Sequence, residues 1–215
     1  MPPLAPLTRP RAGRPTREQA QQRHNELLDA ALDDFLEKGF EQATIEGIAL
    51  KVGMTKRTVY ARYSDKVALF RAAVNLAIER YRISPERIAA TDCGDLETTL
   101  RNIAMLRIDL VASPQGLKLQ RIIHTESYRF PEIFTNSYEL GALPTIEFLA
   151  GILARETRAG TLAVADPLMA ANAFMSLVTT GPVRFLVSGI PLSPAETDRR
   201  VDYAVKLFLD GTRPR

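Results

Sequence analysis

The apolar residues near the start of the chain fall on one face of a helix. Between Leu27 and Leu36 they recur in pairs one turn apart, which predicts a buried helical stripe. Lys38 and Gly39 follow the stripe, and glycine is common just past a helix end. The pattern therefore predicts a first helix that ends at Gly39. Residues 1–16 are rich in Pro and Arg without periodicity, which predicts a flexible basic arm.

Two short helices separated by a glycine follow. Thr44 is a suitable N-cap for a second helix that Gly53 ends, and Thr55 is a suitable cap for a third, very short helix. Such a pair forms a helix-turn-helix, whose second helix enters the major groove of DNA. The inside corner is expected to hold Ile48, Ala49 and Val59. The outward side of the third helix then carries Lys56, Arg57, Thr58 and Tyr60. The alternative is a corner of the core with a solvated polar face.

The remaining chain is also predicted to be helical. Ser64 is expected to cap a fourth helix that ends near Arg82, and residues 83–94 are expected to form a connector. Further helices are predicted at 95–112, from 114 to a break at Phe130-Pro131, at 136–158, at 167–187 and at 194–210. No stretch alternates with a period of two, so no sheet is expected. The pattern predicts an all-α fold.

This fold is expected to have two domains behind the arm. Residues 17–82 would form a three-helix, helix-turn-helix DNA-binding domain with its linking helix, and residues 83–215 a helical ligand-binding and dimerisation domain. The helix at 167–187 is apolar almost all round, which is typical of a helix buried on two sides. The helix at 136–158 carries a similar stripe, so a homodimer through these two helices is expected. The alternative is a core helix within a monomer.

Polar residues interrupt the apolar stretches of the second domain, and a buried polar atom needs a partner. A small-molecule effector is one such partner. The candidate pocket residues are Arg121, His124, Thr125, Tyr128, Asn172 and Thr179. Gly181-Pro182 is expected to kink its helix and open a cavity wall. The alternative is that these polar side chains are satisfied within the core.

The composition disfavours several other classes of protein. Cys93 is the only cysteine, which excludes an intrachain disulfide and a cysteine-cluster metal site. The only histidines are His24 and His124, and there is no phosphate-binding glycine loop or nucleophile elbow, so neither an enzyme, a metal nor a cofactor is expected. No apolar run is long enough to span a membrane, and the N-terminus lacks a signal-like apolar region. A cytoplasmic protein without membrane attachment is expected.

The distribution of charge indicates a surface for phosphates. The net charge is only +3, but residues 1–23 carry five arginines against one acid, and residues 51–66 carry five cations against one acid. The intervening residues 24–50 carry seven acids against one lysine. Two basic clusters around an acidic helix are typical of a nucleic-acid-binding face with a solvated back. Arg11 and Arg14 of the arm are expected to contact DNA. The alternative is ordinary surface charge.

Three of these cations occupy positions that are unfavourable for an isolated helix. Lys56 and Arg57 follow the predicted cap Thr55, and Lys66 follows the predicted cap Ser64. A cation at a helix N-terminus opposes the macrodipole by ~0.3–1 kcal/mol. A phosphate at such an end would meet both the cation and the free N–H groups, so a DNA-binding role is favoured over chance placement.

The segments TKRTVYARYSDKVALF at 55–70 and FEQATIEGIA at 40–49 resemble the TetR family of bacterial transcriptional regulators. The likeness covers residues 17–75, and residues 117–187 resemble AcrR/AefR-like members less specifically. The resemblance implies phosphate contacts by Thr44, Tyr60 and Lys66, and contacts to base edges or nearby phosphates by Lys56, Arg57 and Thr58. Arg62 stands where many members have His or Tyr, and it is still able to reach a phosphate.

These observations together predict a sequence-specific transcriptional regulator. The expected activity is that of a homodimeric repressor that binds a palindromic operator in double-stranded DNA and is released by a small-molecule effector. DNA-binding candidates are Arg11, Arg14, Thr44, Thr55, Lys56, Arg57, Thr58, Tyr60, Arg62 and Lys66. The alternatives are a helical enzyme of unknown chemistry and a non-specific, nucleoid-type DNA-binding protein.

Overall fold

A computed structural model describes residues 16–214, and within them the fold is all-α, as predicted. The helices of the first part are α1 (Arg17–Gln42), α2 (Ile45–Lys51), α3 (Lys56–Tyr60) and α4 (Lys66–Arg80). Those of the second part are α5 (Pro85–Ala89), α6 (Leu96–Ala112), α7 (Pro114–Glu126), α8 (Pro131–Ser137), α9 (Leu143–Arg158), α10 (Pro167–Val187) and α11 (Pro194–Thr212). A π-helical turn, Tyr138–Ala142, joins α8 to α9. No helix of residues 16–214 is long and apolar enough to cross a membrane.

The helix starts follow the predicted caps except at α4. Thr44 and Thr55 cap α2 and α3, each by accepting a backbone N–H three residues on. The expected cap Ser64 is wrong: α4 is capped by Asp65, whose Oδ1 accepts from the amide N of Ala68 at 2.7 Å. A carboxylate is a stronger acceptor than a hydroxyl, and its charge is favoured at a helix N-terminus. Ser64 instead donates to Asp65 Oδ2 at 3.1 Å.

Three predicted boundaries differ from the observed ones. Gly39 does break the first helix with a left-handed φ of 76°, but the chain turns once more, to Gln42. The connector 83–94 contains α5, which Ser84 caps. The helix expected at 136–158 belongs to a longer helical run that begins at Pro131 and contains the π-helical turn.

A cluster of four phenylalanines holds the first part of the fold to the second. Phe70 of α4 is fully buried, with ring centroids 4.9 Å from Phe35, 5.2 Å from Phe40 and 5.1 Å from Phe130. Phe130 precedes α8, and the same core includes buried residues of α7 and α8. Helices α1 and α4 therefore pack directly on the second part.

Ion pairs at the same junction reinforce this packing. Arg71 Nε lies 2.7 Å from Glu132 Oε1, and Lys118 Nζ lies 2.6 Å from Asp33 Oδ1. Arg129 pairs with Glu41 of α1. All three are partly exposed, so each adds at most ~1 kcal/mol. The domain boundary at residue 82 stays a prediction, because one core spans it.

The second core changes the expected dimer surface. It is formed by α6, α9, α10 and α11, and the apolar stripe of α9 is buried inside it: Ile146, Leu149, Ile152 and Leu153. The expectation that this stripe faces a partner subunit is wrong, because it is buried within the chain, where α9 packs mainly against α10. The outer apolar side of α10 is exposed at Leu177, and α11 exposes Tyr203 and Leu207 next to it.

Candidate functional site

The turn between α2 and α3 has the hydrogen bonds of a Schellman motif. The Met54 N–H donates to the carbonyl of Ala49 at 2.9 Å, and the Gly53 N–H donates to that of Leu50 at 3.2 Å. Gly53 has φ of 62°, a left-handed conformation that glycine adopts without steric cost. Gly53 therefore permits the predicted tight turn, and α3 begins directly after it.

One side of α3 is anchored and the other side is open. Val59 is completely buried in the first core, together with Ile48 and Ala49 of α2, so the predicted inside corner is confirmed. The opposite side exposes Lys56, Arg57, Thr58 and Tyr60. The Oγ1 atoms of Thr55 and Thr58 are 2.8 Å apart, which fixes both hydroxyls at the start of α3. This face is small, polar and positioned by the core.

Most cations of the basic cluster at 51–66 already have a partner. Lys51 lies 2.6 Å from Asp34 Oδ1, and Lys56 lies 3.5 Å from Glu46. Arg57 makes no side-chain hydrogen bond or ion pair with any residue of 16–214, and it is exposed. Within the described chain, Arg57 is therefore the cation of α3 that is available to an external anion at no cost in internal contacts.

Asp34 holds the ammonium group of Lys51 against α1. This carboxylate is completely buried in α1, and Lys38 and Lys51 both approach its Oδ1, at 2.7 Å and 2.6 Å. Burial alone would raise the pKa of Asp34, but the two ammonium groups outweigh it and lower that pKa. The pair with Lys51 ties α2 to α1 and holds the helix-turn-helix in place.

A second basic group lies beside the C-terminal end of α3. Arg62 Nη1 is 2.9 Å from His24 Nδ1, and the Tyr63 hydroxyl is 3.3 Å from His24 Nε2. Arginine only donates, so Nδ1 accepts and the imidazole is neutral with its proton on Nε2. Burial, together with the charge of Arg62, lowers the pKa of His24. Arg17 lines the same surface depression, so two guanidinium groups face one concave patch.

A cavity of about 400 Å³ lies in the second part of the fold. It is bounded by α6, α7, α8, the π-helical turn, α9 and α10. Its apolar wall includes Val111, Ile123, Phe134, Ala142, Ile146, Met175 and Val183. Its polar wall includes Arg107, Gln120, His124, Tyr138, Asn172, Thr179 and Arg184. An apolar chamber of this size with a few polar groups is typical of a small-molecule site.

Both the helix-turn-helix part and the second part of the chain match known protein families. The family described as "Bacterial regulatory proteins, tetR family" matches residues 27–73. The family described as "AefR-like transcriptional repressor, C-terminal domain" matches residues 98–211, more than half of the chain. The chain belongs to the TetR family. It is therefore a helix-turn-helix transcriptional regulator of that family.

Individual relatives in the TetR family agree with this assignment. The regulator SrpR of Pseudomonas putida is 27% identical over 110 residues, a segment that spans 51% of this chain and about half, 49%, of SrpR. A solved TetR-family structure from Mesorhizobium loti is 26% identical with a TM-score of 0.73, covering 93% of this chain and 100% of that one. The solved flavonoid-responsive regulator FrrA is 30% identical with a TM-score of 0.69, covering 91% and 99%.

The residues expected to contact DNA in this TetR-family chain separate into three groups. Arg11 and Arg14 lie outside the described residues. Those gathered on or beside α3 are Thr44, Thr55, Lys56, Arg57, Thr58, Tyr60 and Arg62. Lys66 is directed elsewhere. Arg17, Gln21 and His24 of α1 join Arg62 at the edge of this face, although sequence reasoning did not select them.

Lys66 caps the end of α1. Its Nζ donates to the carbonyls of Phe40, Glu41 and Ala43 at 2.8, 3.0 and 3.2 Å, and it lies 4.6 Å from the centre of the Phe40 ring. An ammonium group has three donors, so all of them are used within the chain. A cation is favourable at a helix C-terminus. The Lys66 ammonium therefore stabilises the end of α1 besides following the cap of α4, and its contact with a DNA phosphate stays a prediction.

Replacing Lys66 with methionine is expected to destabilise the fold by about 1–3 kcal/mol, because three carbonyls lose their charged donor. Chemical denaturation measures this loss. Lys56→Met is the matched control, and it should stay within about 0.5 kcal/mol since its partner Glu46 is 3.5 Å away and exposed. Unchanged stability, combined with a salt dependence of DNA affinity reduced by ~0.9, would support the phosphate assignment.

The candidate pocket residues are only partly brought together. His124, Asn172 and Thr179 line the cavity. Arg121 and Thr125 are on the exposed side of α7, where the Thr125 hydroxyl donates to the Arg121 carbonyl at 3.0 Å. Tyr128 is 99% exposed. Arg121 and Thr125 were misplaced because one wrong phase on a helix moves a side chain from the inner face to solvent. Tyr128 was misplaced because α7 ends before it, at Glu126.

Arg107 is one of several pocket residues that sequence reasoning missed. It lies on α6 one turn from Ile103 and one turn from Val111, both buried, so it occupies the apolar face of its helix. A charge on such a face was a visible signal. Sequence alone does not determine whether the long arginine side chain extends its guanidinium group to solvent or keeps it within the fold.

Proposed function

We propose that this chain is a ligand-responsive repressor that binds an inverted repeat in double-stranded DNA as a homodimer. The observation that carries the proposal is the exposed face of α3 around Arg57, which has no internal partner among residues 16–214 and stands on a buried anchor, Val59. Such a helix fits a major groove ~12 Å wide. A repressor that acts on DNA is expected in the cytoplasm.

Each side chain of this face has a role that its geometry allows. Arg57 and Lys56 would face base edges or nearby phosphates, and Thr58 and Tyr60 would add hydroxyl contacts. The Thr44 hydroxyl already accepts from the Gly47 N–H at 3.1 Å, so its own proton is free to be donated to a phosphate. Arg62 and Arg17 would hold a phosphate at the edge, and Arg11 and Arg14 would extend the contact along the arm.

The second copy would pack on the outer face of α10 and α11. Leu177 is 44% exposed and Tyr203 is 71% exposed, and both border one groove. Exposed large apolar side chains on two adjacent helices mark an interaction surface. A two-fold axis there would place two α3 helices on half-sites about one DNA turn, ~34–36 Å, or a multiple of it apart.

The effector would bind in the cavity and act through α4. This helix begins beside α3, and its later turns contact α7, α8 and the π-helical turn, all of which bound the cavity. The response of FrrA to flavonoids supports a small-molecule effector for a chain of the same fold. Linkage requires that DNA weaken the effector by the same factor by which the effector weakens DNA.

Selection of bound sequences from random duplex DNA tests the proposal. The expected result is one enriched inverted repeat, bound by two subunits. Enrichment of no sequence, with equal affinity for any duplex, would instead support a non-specific nucleoid-type protein.

Arg57→Gln is expected to lower affinity for the selected site without lowering the free energy of unfolding. If Arg57 reads a base, discrimination at one position falls by about 1–3 kcal/mol. If it holds a phosphate, affinity falls on every sequence, and the slope of log affinity against log salt shrinks by ~0.9. Arg87→Gln, an exposed arginine on α5, is the charge-matched control. Equal affinities of the two variants would contradict a DNA-reading role for α3.

A further inference from the structure

We infer that the cavity selects an amphipathic organic anion, such as a carboxylate or a phenolate, whose charged group pairs with Arg107. This inference rests on the proposed ligand response and specifies its chemistry. Three observations support it: the surroundings of the Arg107 guanidinium group, the charges of the residues that line the cavity, and the contact between Arg107 and the π-helical turn.

The Arg107 guanidinium is incompletely partnered. Its Nη1 donates to the carbonyl of Gly141 at 2.8 Å, but its Nε is fully buried and has no hydrogen-bond acceptor among residues 16–214. No carboxylate of the described chain forms an ion pair with it. Burial without a counter-charge lowers the pKa of this arginine. A half-buried cation without a counter-charge is costly to hold, so an anion that supplies the missing acceptor gains both a hydrogen bond and a charge interaction.

The rest of the wall favours the same ligand. The described residues that line the cavity include Arg107, His124 and Arg184 but no Asp or Glu. Its other polar groups are neutral, and two of them partner each other: the Tyr138 hydroxyl donates to Asn172 Oδ1 at 3.2 Å. A cation would meet like charge and find no carboxylate. The apolar wall would receive the body of the ligand while Arg107 receives its charged end.

Arg107 also stands between the cavity and α4. Together with Gly141 of the π-helical turn it lines a narrow gap of about 30 Å³ that Ile78 and Tyr81 border from the end of α4. An anion that draws the guanidinium towards the cavity would weaken its bond to the Gly141 carbonyl. The packing against the end of α4 would then change, and α4 leads to the DNA-binding helices.

Matched probe pairs test the ligand class by calorimetry. The pairs are 1-naphthoate with 1-naphthamide, decanoate with decanamide, and 2,4-dinitrophenolate, which is ionised at neutral pH, with 2,4-dinitroanisole; they separate carboxylate from phenolate recognition. At least one anion is expected to bind roughly tenfold or more tightly than its neutral partner. Arg107→Met should remove this preference, Arg107→Lys should keep part of it, and Arg184→Met, at an exposed position of the wall, should retain most of it.

Several outcomes would overturn the inference. They are equal binding within every pair, no binding of any anion up to about 1 mM, and an undiminished preference in Arg107→Met. That variant should unfold no earlier than the wild type, because it removes an unpaired, half-buried charge. If it fails to fold, Arg107→Gln, which keeps a donor for Gly141, takes its place. Anion binding without any change in DNA affinity would contradict the proposed regulation alone, and DNA binding without anion preference would contradict this inference alone.

Discussion

Replacing Leu177 with glutamate is expected to convert the dimer into a monomer and to lower affinity for an inverted repeat by roughly 100-fold or more. Leu177 lies on the outer face of α10, 44% exposed, in a groove shared with Tyr203. Across a two-fold axis the same substitution places two carboxylates in one apolar surface. Each DNA-binding domain would then bind its half-site without help from a tethered partner. Light scattering and binding to the selected repeat measure the two effects.

Tyr128→Glu is the control for this experiment. Tyr128 is a still more exposed aromatic residue, at 99%, and it lies between α7 and α8, away from the outer face of α10 and α11. This variant should remain dimeric. A Leu177→Glu protein that stays dimeric at micromolar concentration would show that the subunits meet elsewhere.

Replacing Phe70 with alanine is expected to lower the free energy of unfolding by about 3–5 kcal/mol. The side chain is fully buried at the centre of the aromatic cluster, with Phe35, Phe40 and Phe130 around it. Its removal leaves a cavity where α1, α4 and the start of α8 meet. Such a loss is a large part of the ~5–15 kcal/mol that a domain typically has.

Chemical denaturation of Phe70→Ala, with Tyr128→Ala as control, measures this loss. The control should change stability by no more than about 0.5 kcal/mol, because its side chain is solvated. One cooperative transition is expected, since the cluster belongs to a core shared by both parts of the fold. Two separate transitions would show that the DNA-binding part unfolds on its own.

Coupling between the cavity and the DNA-binding face depends on this shared core. The end of α4 borders the gap beside Arg107, while Lys66 at its start donates to the end of α1. A packed core transmits a small displacement because it has little free volume to absorb it. Because Phe70 lies in this core, its replacement is expected to change both the free energy of unfolding and the response to a ligand.

Sequence alone determined the local features of this protein. The caps Thr44 and Thr55, the break at Gly53 and the buried corner at Val59 all follow from neighbouring residues, and the structure confirms them. The all-α class and the family also followed, because a helix-turn-helix places its caps, turn and outward cations within a few residues of each other.

Tertiary structure decided which partner each charged or apolar side chain meets. Lys66 looked like an exposed cation of α4, but folding brings it to the carbonyls at the end of α1, 23 to 26 residues away. Arg107 was not singled out by sequence, but folding brings its guanidinium to the Gly141 carbonyl of the π-helical turn and to the cavity wall. The stripe of α9 looked like a dimer surface, but it is buried in the second core, where α9 packs mainly against α10. Periodicity specifies which face of a helix is apolar, whereas burial and electrostatic partners depend on contacts between residues far apart in the chain.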